Sequence, residues 1–188
     1  MPAPLRETAQ WLNFTAGQML FKQGEEPRLI YFIAQGEVRL RRYSPDGAEM
    51  VVQRARNSFL AEASIESPAY HCDALASEAA VALAFPLADF RLALAECPNF
   101  RGRWISHLLR EVKRSRAQCE RLGLRNADAR VLHYLESECP NGCLVLSSSK
   151  KAWAAELGLT HEALYRALSK LSQAGVIRVS GECIQRVQ

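Results

Sequence analysis

Through the first half of the chain, apolar and polar positions alternate. The runs MLFKQ (19–23), LIYFIA (29–34), EVRLRRY (37–43), EMVVQRA (49–55) and AVALAF (80–85) send successive side chains to opposite faces, which is the period of a β-strand. Gly17, Gly24, Gly36 and Gly47 punctuate them at intervals of 7 to 12 residues, and SPDGAE (44–49) carries the Asp-Gly signal of a hairpin turn. Many short, evenly spaced strands over 14–85 predict a sandwich or barrel. From residue 87 the period lengthens. Residues 87–97 read as a short helix ended by Pro98. Ile105, Leu108, Val112, Ser115, Cys119 and Leu122 then follow at spacings of 3, 4, 3, 4 and 3, one seam of a long helix that Gly123 ends. Trp104 and Leu109 widen that seam. A seam of this length calls for a partner helix, most simply the same helix of a second copy.

The last third holds a second set of short elements. Residues 126–138 predict a helix with Asn126 or Asp128 at its cap, CPNGC (139–143) a turn and LVLSS (144–148) a strand. Ser149 opens a helix with Ala152, Trp153 and Leu157 inward, and Gly158 closes it. After the tight turn LGLT, Thr160 caps a second helix with Ala163, Leu164, Ala167, Leu168 and Leu171 inward, closed by Gly175. VIRVSGECIQRV (176–187) then reads as a small hairpin. Helix, glycine turn, helix and hairpin make a winged helix-turn-helix, whose second helix fits the major groove of duplex DNA. The side chains turned away from its core are His161, Glu162, Tyr165, Arg166 and Ser169. Arg donates twice to guanine and Glu accepts from the cytosine amino group. Lys150, Lys151, Lys170 and Thr160 are placed to meet phosphates.

Charge sharpens this reading. The formal net charge is +4, but residues 99–125 alone hold eight basic and two acidic side chains, an asymmetry that suits an anionic partner. The apolar share of 48% and charged share of 23% are those of an ordinary globular protein. No apolar run reaches membrane-spanning length, and MPAPLRETAQW lacks the apolar core of a signal peptide, so the expectation is a cytoplasmic protein without a membrane partner. No nucleophile elbow, P-loop, dinucleotide fingerprint or HExxH is present, which argues against an enzyme.

Taken in order, these segments resemble the CRP/FNR superfamily of bacterial transcription regulators. FTAGQMLFKQGEEPRLIYFIAQGEVRL (14–40) resembles the family's roll opening, SPDGAEMVV (44–52) its next hairpin, and WAAELGLTHEALYRAL (153–168) its DNA module. The resemblance covers residues 11–187 and implies an α+β fold. The expected parts are an N-terminal β-roll (a double-stranded jelly roll) as sensor over 1–98, a dimerisation helix over 99–125 and a winged helix-turn-helix over 126–188. It implies a homodimer on double-stranded DNA, with RNA polymerase as a further partner if the protein activates. It also places Glu162, Tyr165 and Arg166 at the three base-reading positions. Glu162 and Arg166 keep the family's common residues and suggest a half-site with a G·C pair of the TGA kind. Tyr165 replaces the usual small residue.

The same resemblance frames the stretch SPAYHCDALAS (67–77). Cyclic-nucleotide members carry a phosphate cassette here: a Gly-Glu pair, with Glu on the ribose, and an Arg-Ser pair about ten residues later, with Arg on the phosphate. Glu62 remains, but Ala61 replaces the Gly and Tyr70-His71 replace the Arg-Ser. Without the guanidinium a phosphate loses a charge-assisted bidentate bond, which argues against cAMP. The first cysteine is Cys72, so an N-terminal iron–sulfur cluster is excluded. The cofactor is therefore left unassigned. Glu62, Tyr70, His71, Cys72 and Asp73 stand as candidates for an effector pocket, for a metal or redox site built on His71 and Cys72, or for purely structural roles. Strand alternation would put His71 and Asp73 on one face and Tyr70 and Cys72 on the other. Cys119, on the seam, would face its twin in a parallel dimer. Cys139 and Cys143 flank a turn, where a metal or disulfide is the alternative to two unlinked thiols.

Overall fold

The computed structural model describes residues 1–43, 45–47, 49–139, 143–146, 149–181 and 183–187. The Pro-Asn-Gly turn at 140–142, the end of LVLSS and two positions of the SPDGAE turn lie outside the described residues. The chain divides into two compact units, Met1–Leu108 and Leu109–Gln188.

The first unit opens with a short helix, α1 (Ala3–Thr8), that the sequence pattern did not suggest, and its first strand starts at residue 10 rather than 14. Eight strands follow: β1 (Gln10–Phe14), β2 (Met19–Phe21), β3 (Leu29–Gln35), β4 (Val38–Tyr43), β5 (Glu49–Ala55), β6 (Ser58–Leu60), β7 (Asp73–Ala76) and β8 (Ala80–Pro86). They form two antiparallel four-stranded sheets, ordered β1-β8-β3-β6 and β2-β7-β4-β5. Tyr31 and Ile33 of β3, Val38 and Leu40 of β4, Leu60, and Ala74, Ala76, Ala82 and Ala84 fill the space between the sheets. β8 is apolar on both faces because both are covered. Its small Ala82 and Ala84 face the narrow interior, while Leu83 and Phe85 face the helices. There α1, α2 (Leu87–Glu96) and the start of α3 (Pro98–Gly123) cover the sheet through Leu5, Leu87, Phe90, Ala93 and Trp104. Trp104, expected to widen the seam, therefore belongs to the core of the roll. Gly36 turns between β3 and β4 at φ +75°, where a Cβ would sit 2.2 Å from the Ala79 carbonyl oxygen, so no other residue fits.

One buried charge ties the second sheet together. Glu37 accepts from Arg39 Nε at 2.9 Å, Arg54 Nη1 at 2.9 Å, Arg56 Nε at 3.0 Å and Ser77 Oγ at 2.9 Å. Burial alone pushes this carboxyl up. The bonds from Arg39 and Ser77, the charge of Arg54 and the bond from Arg56 outweigh it and hold the group at about 2.

In the second unit α3 ends at Gly123, and α4 (Ala127–Glu138) starts with the Asn126 side chain accepting from Ala129 N. β9 (Cys143–Val145), α5 (Lys150–Glu156), α6 (His161–Gln173), β10 (Ile177–Ser180) and β11 (Cys183–Arg186) follow. The three strands form a sheet in the order β10-β11-β9. Cys143 is disulfide-bonded to Cys183 across β9 and β11, not to Cys139, which is buried as a free thiol. The antiparallel register sets Cys143 diagonally opposite Cys183, whereas Cys139 lies under the helices. No described helix is long and apolar enough to cross a membrane.

Glu37→Gln leaves three guanidiniums around a neutral amide and is expected to lower stability by about 3 kcal/mol or more near neutral pH. The Glu37 carboxyl titrates at about 2 in the fold against an ordinary 4.5, so its contribution is complete above the ordinary value and lost as pH falls towards the folded one. Urea denaturation should show the gap between wild type and variant narrowing across that window. A gap that is small at pH 7 contradicts the assignment.

Candidate nucleic-acid interface and roll cassette

The tight turn between α5 and α6 fixes the geometry of the second unit. Ser149 Oγ accepts from Ala152 N at 3.2 Å and opens α5. Trp153, Ala154 and Leu157 are buried, and the chain reverses through Gly158 at φ +63°. Thr160 Oγ1 then accepts from Ala163 N at 3.1 Å and caps α6. Leu164, Ala167, Leu168 and Leu171 form the buried stripe of α6, packed with Val131, Leu135 and Trp153. His161, Glu162, Tyr165, Arg166 and Ser169 all lie on its exposed face, together with Thr160 and Lys170.

These exposed side chains are partly organised already. The His161 and Tyr165 rings meet edge to face at 4.6 Å, and Lys150 Nζ stands 5.3 Å from the centre of the Tyr165 ring. The Glu162 carboxyl is held below its usual range by its own backbone N–H and by the Thr160 hydroxyl at the helix N-terminus. It is therefore an ionised acceptor at neutral pH. Lys151 is exposed on α5. Lys170 is not a free cation: its ammonium is paired with Asp128 of α4.

Two arginines that sequence reasoning missed hold this unit in place. Arg130 Nε donates to the Leu124 carbonyl at 2.9 Å, Nη2 to Leu122 at 3.1 Å, and Nη1 to Leu157 at 3.1 Å and Gly158 at 2.9 Å. Arg121, counted in the basic run, is 1% exposed. It donates to Gln118, Ser137 and Glu138 and lies 4.5 Å over the Tyr134 ring. Its charge serves packing rather than an anionic partner. The one sequence signal for Arg130 was a cation interrupting the apolar face of a helix.

In the roll, the polar groups of residues 62–73 turn to separate partners. Ala61 adopts φ +74°, a left-handed conformation that costs a non-glycine residue on the order of 1 kcal/mol. A turn of 3-10 helix, Glu62–Ser64, follows. Glu62 accepts from His107 Nε2 of α3 at 3.0 Å, both side chains being nearly buried, and the His107 ring packs on Phe59 and Trp104. The strand expected across 70–73 begins only at Asp73, although burial does alternate. Tyr70 stacks on Phe21 at 3.7 Å and donates its hydroxyl to the Leu29 carbonyl at 2.8 Å. Cys72 is buried in the roll core, where burial pushes its thiol up. His71 is exposed, with Nδ1 3.4 Å from Ser64 Oγ. Asp73 accepts from Gln23 N at 2.9 Å and faces Arg41. The five candidates Glu62, Tyr70, His71, Cys72 and Asp73 thus have separate partners and do not converge. Among the described residues no group of three or more His, Cys, Asp or Glu side chains could hold a metal ion.

A two-sheet roll, a long helix and a winged helix-turn-helix with a polar outer helix face define a DNA-binding regulator of transcription. The family of the cyclic nucleotide-binding domain matches residues 11–97, and that of the Crp-like helix-turn-helix domain matches residues 129–187. The chain is 26% identical over 177 residues to the nitrogen fixation regulation protein FixK of Bradyrhizobium diazoefficiens, covering 89% of this chain and 74% of that one. The structure of FixK2 from Bradyrhizobium japonicum superposes with a TM-score of 0.73 at 19% identity, over 96% of this chain and 93% of that one. A transcriptional regulator of the CRP family from Thermus thermophilus gives 0.63 at 21% identity over 94% and 92%. The chain belongs to the CRP/FNR family of DNA-binding transcription regulators, which are not enzymes.

A Cβ at Gly158 would stand 2.8 Å from Leu122 Cδ2 and 3.0 Å from Arg130 Nη1. Gly158→Ala is therefore expected to cost about 1–2 kcal/mol from the backbone alone and to disturb the Arg130 bonds. Thermal unfolding should fall by several degrees, and a variant as stable as wild type would refute this account of the turn.

Proposed function

We propose that the chain acts as a homodimer that reads a specific DNA sequence through α6 and regulates transcription in the cytoplasm. In this reading residues 1–98 are the sensor, 99–125 the dimerisation helix and 126–188 the DNA-binding domain. Thr160, His161, Glu162, Tyr165, Arg166 and Ser169 face the groove, and Lys150 and Lys151 meet phosphates. Lys170 joins them only by leaving Asp128. The observation that carries the reading is the sidedness of α6, with four buried apolar side chains on one face and a capped, polar face opposite. RNA polymerase is the further partner if the protein activates.

The dimer reading is supported by the apolar side chains that α3 leaves in solvent. Ile105 is 51% exposed, Leu108 36%, Val112 45% and Leu122 46%. Ser115 and Cys119 complete the line and are exposed as well. A stripe at this spacing is stable when a second copy covers it. The roll, in this reading, takes no cyclic nucleotide: Tyr70 stands where a phosphate-binding Arg would, and His107 occupies the Glu62 carboxylate. An effector of other chemistry would act by binding one arrangement of the dimer more tightly than another.

Selection of bound duplexes from random DNA should enrich a two-fold symmetric motif whose half-sites lie about one helical turn apart. Arg166→Ala should weaken binding by about 1–3 kcal/mol and relax one position of each half-site. Val112→Glu should give a monomer in sedimentation and abolish tight binding while leaving the fold intact by circular dichroism. Calorimetry with cAMP and cGMP should show no micromolar binding. A monomeric wild type without sequence preference would overturn the reading.

A further inference from the structure

The outer face of α6 carries one large apolar group among polar ones. Tyr165 is 46% exposed, and among the described residues its hydroxyl makes no hydrogen bond. Its ring is nevertheless fixed: the His161 ring one turn earlier meets it at 4.6 Å and 65°, and Lys150 of α5 sets its ammonium 5.3 Å from the ring centre. An exposed ring restrained by two neighbours has little rotamer freedom left to lose on binding. Glu162 precedes it by three residues and Arg166 follows by one, so two polar readers flank an apolar surface. Among the base-pair edges in the major groove, the one protruding apolar group is the C5-methyl of thymine. Cytosine has only a hydrogen there.

We propose that Tyr165 is a specificity-determining residue that selects a thymine by packing its pinned ring against the C5-methyl group. The inference rests on α6 being the recognition helix. It adds the chemical class of the base that Tyr165 accepts, a 5-methylpyrimidine, and assigns His161 and Lys150 as positioning residues for the ring. Glu162 and Arg166 then set hydrogen-bonded positions of the half-site, and Tyr165 sets an adjoining thymine by shape alone.

The test uses the enriched duplex and replaces each thymine in turn by deoxyuridine, which removes one methyl and leaves pairing unchanged. Affinities are read by fluorescence anisotropy for the full-length chain. One thymine per half-site should be methyl-dependent, with roughly three- to fivefold weaker binding on replacement, the worth of one buried methyl. Tyr165→Phe should keep that dependence, because the ring and not the hydroxyl makes the contact. Tyr165→Ala should bind more weakly and be indifferent to the replacement at that position alone. Absence of any methyl-dependent position in the wild type, or an equal dependence in Tyr165→Ala, overturns the inference while sequence-specific binding stands. Loss of affinity in Tyr165→Phe with no deoxyuridine effect assigns the reading to the hydroxyl and also overturns it. If selection enriches no motif at all, it is the recognition-helix reading that has failed.

Discussion

Arg130 answers four backbone carbonyls with one guanidinium, two at the end of α3 and two in the turn after α5. Carbonyls at a helix C-terminus have no partner within their own helix, and leaving them unpaired in a packed region costs about 1–3 kcal/mol each. Arg130 resolves both ends together and so fixes where α5 stops relative to α3. Gly158 makes the reversal sterically possible, since Leu122 and Arg130 fill the space where a Cβ would stand. The cap at Thr160 and the apolar stripe of α6 then leave one orientation for the helix. Base recognition needs that rigidity, because a hydrogen bond to a base edge fails within a few tenths of an ångström or a few tens of degrees.

The roll shows a related economy of partners. Residue 61 adopts a left-handed backbone although it is alanine. Glu62 is satisfied by His107, Tyr70 by Leu29, and Asp73 by Gln23 and Arg41. A ligand addressing Glu62 would first have to separate it from a nearly buried imidazole. The position of that imidazole on α3, one residue before Leu108 of the exposed stripe, makes the cassette and the long helix parts of one packed cluster with Phe59 and Trp104. The sheet on the far side of the roll rests on a different device, a single carboxylate among three guanidiniums. The carboxylate there is the ionised form because its donors outweigh the cost of burial.

Most of the elements and their order could be read from the chain alone, α1 and the short β1 and β6 being the exceptions. Alternation marked five of the eight strands of the roll, the 3-4 spacing marked α3, and the glycine turn between two amphipathic helices marked the helix-turn-helix, because each of these signals is local and repeats within a few residues. Which face of α6 is buried was equally legible, as the stripe Leu164, Ala167, Leu168, Leu171 needs no knowledge of what it packs against. The pairings between distant residues emerge from the folded chain alone. His107 finds Glu62 across 45 positions, Lys170 finds Asp128 across 42, and Cys143 meets Cys183 rather than the nearer Cys139. Charge type was visible in advance for Arg121 and Trp104 was visibly apolar, but their burial was not, since a helix position faces solvent or core according to what the rest of the chain lays over it. The cluster at 70–73 dispersed for the same reason: four reactive side chains adjacent in sequence point to four different environments once strands and loops surround them.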